Sequence, residues 1–447
     1  MRPGIWAGML LILALAIGPA WAQEPTPPQA DDASAYIFNT LLFLIMGMTV
    51  MFMAAGFCML EAGLVRAKNA ATICLKNIAL YAVAAIMTWA IGYHLIYGVA
   101  PGGFIAPLKG VWSAEIAAAP DGKYAAHSDW FFQMVFVATA GSIVSGALAE
   151  RVKLWAFLAF TVVLTGVIYP IQASWEWGQG MLNAEWFTGA FGAPFSDFAG
   201  STLVHATGGW AALAGMMFLG PRRGRYAGGR VHPMPGSALP LATLGTFILW
   251  FGWFGFNSGS LLSLGNPEDA QKISKIIVNT NMAACGGLLT ALVATQFAFG
   301  KVDLTLTLNG AIGGLVSITA EPLTPELWQA IAIGAGGGLI VTFAVRLLDR
   351  LRLDDVVGAV PAHLLCGLWG TLIVAWTNPD ATFLAQAAGM AMSGAFVFAA
   401  SALVWAGLKV TMGIRVSPED EVNGVDAAEL GMEAWPEFAN VGRGGPR

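Results

Sequence analysis

Eleven apolar segments, each long enough to cross about 30 Å of hydrocarbon, follow one another along this chain of 447 residues. They cover residues 36–63, 70–98, 128–148, 154–174, 198–219, 238–263, 273–299, 304–321, 326–347, 356–377 and 384–411, and glycines interrupt the eighth. Charged residues make up only 11% of the chain, whereas soluble proteins contain about 25%. The pattern therefore predicts an all-α integral membrane protein with eleven transmembrane helices.

The two ends of the chain lie outside this apolar region. Arg2, a short apolar stretch and a final triplet of the small-x-small type predict a cleaved signal peptide over residues 1–22. Residues 23–34 are rich in proline and acidic side chains and predict an extended tail outside the membrane. Residues 414–447 predict a polar cytoplasmic tail, which leaves residues 35–413 as the membrane domain.

Lysine and arginine lie mostly in alternate loops between the segments. If the mature N-terminus is outside, the inner loops contain Arg66, Lys68, Arg151, Lys153, Arg222, Arg223, Arg225, Arg230, Lys301, Arg346, Arg350 and Arg352. The outer loops then contain Lys109, Lys123, Lys272 and Lys275. Because loops rich in positive charge stay in the cytoplasm, the sequence predicts an outer N-terminus and a cytoplasmic C-terminus.

Other functional classes find little support in the sequence. The net charge is −5, which argues against nucleic-acid binding. The four cysteines lie singly in apolar segments, so they are interpreted as small buried hydrophobic residues. The sequence has no phosphate-binding loop, HExxH motif or GxSxG motif. We therefore expect no enzyme activity, no cofactor and no metal site.

Two of the five histidines, His205 and His363, lie inside apolar segments. Each lies eight residues after an aspartate, Asp197 or Asp355, and four residues before a glycine. If each aspartate marks a helix start, its histidine lies about 12 Å further along, near the bilayer midplane. The segments concerned are the fifth and the tenth, which have opposite orientations. The pattern predicts two inverted five-helix repeats plus a final helix, with a site between them. The alternative is two unrelated core histidines bonded to backbone carbonyls.

Aromatic and short polar residues gather at the predicted outer ends of the third, fourth and sixth segments. They include Phe132 and Phe136, Trp177, and the run from Trp250 to Ser260. Aromatic faces attract a partly desolvated cation, and a hydroxyl group can accept one N–H bond, so the cluster predicts a cation site. The alternative is an aromatic belt at the membrane interface.

Five motifs together resemble the Amt/Rh ammonium transporter family. They are GLVRAKN (63–69), GALAERV (146–152), DFAGSTLVH (197–205), GWFGFNSGS (252–260) and DDVVGAVPAHLLCGLWG (354–370), within a similarity that spans residues 35–436. The resemblance implies two inverted five-helix repeats and a final helix, assembled as a homotrimer in a bacterial inner membrane. In the last motif, Gly358 and Pro361 stand where some members have an aspartate and a glycine.

The same resemblance assigns roles to individual residues. Phe136, Trp177 and Ser260 match the outer site that recruits ammonium. Phe132 beside Phe136 matches the stacked phenylalanine gate, and Phe256 is a further pore-lining ring. His205 and His363 match the twin histidines, and Asp197 matches the aspartate that supports the outer vestibule.

The implied activity is uptake of ammonium for nitrogen supply, with ammonium and ammonia as the transported species. A PII-type cytoplasmic regulator is an expected partner, although Leu430 stands where many members have histidine. An ammonium sensor of the same fold is the alternative, and a membrane-embedded enzyme would need a third ligand or nucleophile that we do not find.

Gly310 with Gly314 and Gly334 with Gly338 have GxxxG spacing, which suits either subunit contacts or packing within one chain.

Overall fold

The structure is a computed structural model that describes residues 33–108, 110–113 and 122–436. The predicted signal peptide, most of the predicted outer tail, Lys109 and the last eleven residues of the chain lie outside the described residues. The outer and inner sides are named below according to the predicted orientation.

One helix corresponds to each of the eleven apolar segments. In chain order they are α1 Ala33–Leu64, α2 Ala67–Tyr97, α3 Ala126–Ala147, α4 Leu154–Ser174, α5 Ser201–Leu219, α6 Leu239–Gly259, α7 Pro267–Phe299, α8 Leu304–Ile318, α9 Leu327–Arg350, α10 Val360–Thr377 and α11 Phe383–Thr411. Short helices at Glu185–Phe191 and Pro418–Asn423 lie between or after them.

The prediction of an all-α membrane fold is confirmed. Ten of the eleven helices are long and apolar enough to cross a bilayer. The exception is α8, which has 15 residues and is buried almost throughout, so neighbouring helices rather than lipid surround it. Among the described residues, extended pairing is limited to an isolated bridge between Val152 and Arg415.

Helix α7 begins six residues earlier than its apolar segment. The side chain of Asn266 accepts a hydrogen bond from the Asp269 backbone N–H, and Pro267 occupies the first turn. Both features favour a helix start, so a polar turn extends the helix beyond the stretch that apolar composition marks.

The glycines at GxxxG spacing serve packing within the chain. A Cβ at Gly314 would lie 2.3 Å from the Ala283 carbonyl oxygen, and one at Gly338 would lie 2.2 Å from the Gly287 carbonyl oxygen. Both neighbours are on α7, which packs along α8 and α9. The two pairs therefore hold three helices of one subunit together, and they do not bear on the number of subunits.

Candidate functional site

Asp197 organises the start of α5. Its Oδ1 accepts hydrogen bonds from the backbone N–H groups of Gly200 and Ser201, at 3.1 and 2.8 Å. Its Oδ2 accepts from those of Thr202 and Leu203, at 2.7 and 2.8 Å. One carboxylate thus satisfies four backbone donors that would otherwise be buried without partners, and it lies where the helix dipole favours negative charge.

Asp355 does the same at the start of α10. It accepts from the backbone N–H groups of Gly358 and Val360, at 3.0 and 2.7 Å. Gly358 has φ +79°, as its counterpart Gly200 has φ +105°, and such angles suit glycine. The two helices therefore begin in the same way, and the different residues in the second motif leave this geometry intact.

The expected depth of the histidines was wrong because neither helix begins at its aspartate. Each aspartate precedes its helix instead of lying in it, and α5 begins at Ser201, only four residues before His205. Both histidines lie in π-helical turns, Ser201–Ala206 and Val360–Leu365. Such turns are rare in proteins as a whole but frequent at functional sites, and sequence periodicity does not reveal them.

His205 and His363 lie side by side in the interior. Their Nδ1 atoms are 3.3 Å apart, and their ring centroids are 5.3 Å apart. Both residues are buried. Nε2 of His205 has no hydrogen-bond partner within the described part of the chain. The structure therefore favours a histidine pair over two unrelated core histidines.

The histidine pair is the deeper part of a continuous column of rings. From the outer side, Trp177 packs on Phe136 with centroids 6.0 Å apart, and Phe136 packs on Phe256 at 4.1 Å. Phe256 then packs on His205 at 5.2 Å. We call this series, with His363 at its inner end, the ring column.

The tightest ring pair in the column differs from the expected gate. Phe136 and Phe256 are tilted by 31° with ring centroids 4.1 Å apart, whereas Phe132 meets Phe136 edge-on at 4.8 Å and 62°. Phe132 also packs against Phe43. Thus the closest pair of phenylalanine rings is Phe136 with Phe256, and Phe132 packs against Phe136 from the side.

Trp253 and Phe57 join the column although sequence reasoning did not select them. Trp253 stacks on His205 at 4.9 Å and 19°, and its indole N–H donates to the Thr319 hydroxyl group at 2.8 Å. Phe57 lies 5.9 Å from His363. The GWFGF run contained Trp253, but its position within the run did not reveal which ring would face a histidine.

The outer end of the column is linked to the start of α5. The indole N–H of Trp177 donates to the Asp197 carbonyl oxygen at 3.1 Å, and the Glu176 carboxylate accepts from the Asp197 backbone N–H at 2.8 Å. Burial raises the pKa of Asp197 to about 6 despite its four backbone donors, and it raises that of Glu176 well above its usual value. Trp177 is therefore held against the structure that positions His205.

Ser260 lies at the outer end of α6, one turn beyond Phe256. Its hydroxyl group donates to the Phe256 carbonyl oxygen at 2.8 Å, and its side chain is partly exposed. A Cβ on the adjacent Gly259 would lie 2.5 Å from the Phe132 ring, which shows how closely this end of α6 approaches α3. Ser260 thus directly follows the position at which α6 approaches Phe132, and it keeps its oxygen lone pairs for a further partner.

Three of the recognised motifs meet in a buried ion-pair network on the inner side. Arg66 donates to Glu150 at 2.7 Å, and Arg222 binds Asp354 in a bidentate manner at 2.8 and 2.9 Å. Arg222 also lies 3.3 Å from Glu150. Burial opposes ionisation, but hydrogen bonds and charges from Arg222 and Arg151 bring the pKa of Asp354 well below its usual value. In the sequence, these arginines indicate only the orientation of the chain in the membrane.

The chain after α11 is attached to this inner side. Both carboxylate oxygens of Asp426 accept hydrogen bonds at the start of α2, from the backbone N–H groups of Ala71 and Thr72 at 2.9 and 2.7 Å. Glu421 accepts from the Arg223 backbone N–H at 2.6 Å. The described part of the tail is therefore packed against the membrane domain.

The helices and the ring column define a multi-pass α-helical membrane protein with a buried histidine pair. Within the described ranges, no cluster of three or more side chains that could hold a metal ion occurs. A family model described as Ammonium Transporter Family matches residues 41–435. Ammonium transporter Amt2 of Archaeoglobus fulgidus is 42% identical to this chain, over 96% of this chain and 95% of that protein. The chain belongs to the ammonium transporter family, as its motifs predicted.

Solved structures agree with this assignment. A protein described as a sensor Amt protein superposes with a TM-score of 0.82 at 32% identity, over 89% of this chain and 99% of that one. Candida albicans Mep2 superposes with a TM-score of 0.79 at 26% identity, over 91% and 92% of the two chains. The fold of the family therefore extends over nearly all of the membrane domain.

Proposed function

We propose that the protein transports ammonium into the cytoplasm along the ring column. Ammonium is recruited at the outer rings, gives up a proton there, and crosses as ammonia past His205 and His363. The observation that carries this proposal is the direct contact of the two histidines at the inner end of a continuous, buried series of rings. Membership of the ammonium transporter family supports ammonium as the substrate.

Deprotonation explains how a buried apolar path can distinguish ammonium from K⁺. Both are monovalent cations of similar size, and moving either one intact into apolar surroundings costs many kcal/mol. Ammonium escapes this cost by releasing a proton, which K⁺ cannot do. Neutral ammonia still needs hydrogen-bond partners, and the ring nitrogens of the histidine pair supply them.

The outer site that we propose consists of Trp177, Phe136 and Ser260. The faces of Trp177 and Phe136 offer cation–π attraction, and the Ser260 hydroxyl group offers an oxygen acceptor. Asp197, held beside Trp177 by the indole hydrogen bond, supports this site through its position at the start of α5.

The setting of this activity is part of the proposal. We infer a homotrimer in a bacterial inner membrane with the N-terminus outside, the C-terminus in the cytoplasm, and residues 1–22 removed as a signal peptide. The packed tail faces the predicted cytoplasmic side, where a PII-type regulator would bind. The basis for these inferences is the loop charge and the family resemblance.

Uptake into proteoliposomes tests the proposal. Vesicles that contain the purified protein should accumulate ammonium along its gradient faster than empty vesicles, and K⁺ should neither enter nor compete. Equal rates of ammonium entry with and without the protein would overturn transport as the function.

A sensor remains the alternative because one similar structure is described as a sensor Amt protein. A sensor needs ammonium binding without sustained flux. The same vesicles separate the two functions: if ammonium quenches tryptophan fluorescence in a saturable manner while uptake stays at the level of empty vesicles, the chain is a sensor.

A further inference from the structure

Glu61 is a buried acidic side chain that the proposed pathway does not yet use. It lies near the inner end of α1 and is 1% exposed. Its Oε2 accepts hydrogen bonds from the Ser145 hydroxyl group at 2.8 Å and from the Asn77 amide at 3.2 Å. Its Oε1 has no partner among the described residues. Ionisable groups inside a membrane domain are costly and usually functional, so this free oxygen calls for an explanation.

A small cavity connects Glu61 with the histidine pair. It has a volume of about 10 Å³, enough for about one water molecule, and both Glu61 and His363 line it. A Cβ built on Gly146 would lie 3.3 Å from the Glu61 carboxyl carbon. Since Gly146 has no side chain, the carboxyl group remains uncovered on this side of the cavity.

The cavity also adjoins the inner surface. Asn309 and Val357 line both the small cavity and a larger one of about 170 Å³. Arg222 and Asp355 of the inner loops line the larger cavity. Glu61 therefore lies between the inner end of the ring column and a space that faces the predicted cytoplasmic side.

Lys76 supplies a compensating charge. Its ammonium group donates to the Ser145 backbone carbonyl oxygen at 3.0 Å, so Ser145 bridges Lys76 and Glu61. Lys76 is as deeply buried as Glu61. A nearby cation allows a buried carboxylate to be ionised, while the free Oε1 remains available to accept a proton or an N–H bond.

We propose that Glu61 is the proton acceptor at the inner end of the pathway. The proton that ammonium gives up on leaving the outer site is accepted at the unpartnered Nε2 of His205, passes between the two Nδ1 atoms to His363, and reaches the Glu61 carboxylate through a water molecule in the small cavity. Ammonia that arrives in the cavity then takes this proton from the carboxylic acid and leaves as ammonium, which restores the carboxylate. The sum is transfer of one ammonium ion, with its charge, per cycle. This inference rests on the proposed function and adds the route of the proton.

Two variants separate this role from charge pairing. Glu61→Gln keeps the shape of the side chain and one oxygen that can accept from Ser145 and Asn77, but it cannot carry the proton, and it leaves Lys76 without its counter-charge. The double variant Glu61→Gln with Lys76→Gln removes both charges, so it relieves the unpaired cation. If Glu61 only balances Lys76, the double variant should behave like the unaltered protein.

The experiment records electrical current and ammonium uptake in the same proteoliposomes after an ammonium pulse. The unaltered protein should give current in proportion to uptake. Both variants should lose current by about 100-fold, the usual size for loss of a proton-transfer group, while ammonia still enters. Current in the double variant within about twofold of the original would overturn the proposal.

Recordings of uptake and current on the unaltered protein show whether the proposed transport or the proposed proton route fails. Uptake without current would overturn the proton route and leave transport intact, whereas no uptake would overturn transport itself. Infrared difference spectra test the proposal in the unaltered protein, so this test does not depend on whether a variant folds. Ammonium, but not K⁺, should produce a carboxylic acid band that shifts in D₂O, and absence of such a band would also overturn the proposal.

Discussion

The contact between His205 and His363 through their Nδ1 atoms, 3.3 Å apart, requires that two neutral rings differ in tautomer. One ring donates its Nδ1 proton and the other accepts it. The donor ring is then bare at Nε2, and the acceptor ring is protonated there. The pair thus presents one acceptor and one donor to a small guest molecule, and shifting a proton along it exchanges these roles.

Trp177 should determine affinity rather than passage. Trp177→Leu removes a cation–π contact worth up to about 2 kcal/mol, which corresponds to a rise of roughly tenfold or more in the half-saturating ammonium concentration. Uptake at high ammonium should be retained. A concentration series of uptake, on equal amounts of inserted protein, measures both quantities.

Trp186 provides the matched control for this variant. It lies on the short helix Glu185–Phe191 and is 52% exposed, outside the ring column. Trp186→Leu should leave half-saturation unchanged. Replacing a tryptophan of an interface belt by leucine would only lower the amount of inserted protein. If Trp177→Leu has only this effect, the proposed outer site is wrong.

The start of α10 depends on glycine at position 358. Gly358→Ala would strain a residue with φ +79° and bring its Cβ to 2.7 Å from the Asn309 amide nitrogen. The left-handed backbone alone costs about 1–2 kcal/mol, so the detergent-solubilised protein should unfold at a lower temperature. The shift is measured by thermal unfolding.

Gly189→Ala is the appropriate comparison, because Gly189 lies in a helix and a Cβ there meets no atom within 4 Å. It should leave the unfolding temperature unchanged or raise it slightly. Equal unfolding temperatures for the two variants would contradict the strain at Gly358.

Sequence patterns predicted the helices well and their starts less well. Long apolar segments have few alternatives in a membrane, and so all eleven appear within six residues of their predicted bounds. The polar first turn of α7 and the π-helical turns at the two histidines escaped prediction. Both depend on local hydrogen bonds, from Asn266 and from the capping aspartates, which apolar composition does not encode.

The candidate site shows the same limit. His205, His363 and Trp177 were found because a histidine in an apolar segment and an aromatic residue near a polar turn differ from their surroundings. Trp253 and Phe57 were missed, because an apolar helix has no polar face that indicates which rings point toward a neighbour. Glu61 is a charged residue in an apolar segment, but its place on a cavity that His363 also lines depends on packing between distant segments.

The buried ion pairs between the inner loops should make stability depend on pH. The pKa of Asp354 is lowered in the folded protein, so its pairing stabilises the fold above the unfolded pKa of about 3.9. This stabilisation is lost as the pH falls below that value. Asp354→Asn should lower stability at neutral pH by about 3 kcal/mol and flatten the decline in acid, as measured by unfolding over a pH series.

Asp380→Asn tests whether that effect is specific. Asp380 is exposed and lies on the predicted outer side, far in sequence from the arginine network. Asp380→Asn should leave the loss of stability at acidic pH unchanged. A parallel decline in Asp354→Asn and in the unaltered protein would show that Asp354 contributes nothing to the pH dependence.

The assembled protein should be a trimer, as the family resemblance implies. The full chain has a mass of 46.8 kDa, and the complex in mild detergent should have three times this mass after correction for bound detergent and for loss of the predicted signal peptide. Mass measurement by light scattering provides the test. A monomer or dimer at the concentrations used for uptake would contradict the trimer.

Uptake by histidine variants tests the proposed pathway most directly. His205→Ala and His363→Ala remove the polar partners of ammonia at the inner end of the ring column, whereas His232→Ala changes an exposed loop residue. Ammonium uptake into proteoliposomes, with K⁺ flux recorded alongside, should fall by about 100-fold in the first two variants and remain unchanged in the third. Uptake at the original rate by folded His205→Ala and His363→Ala protein would contradict passage along the histidine pair.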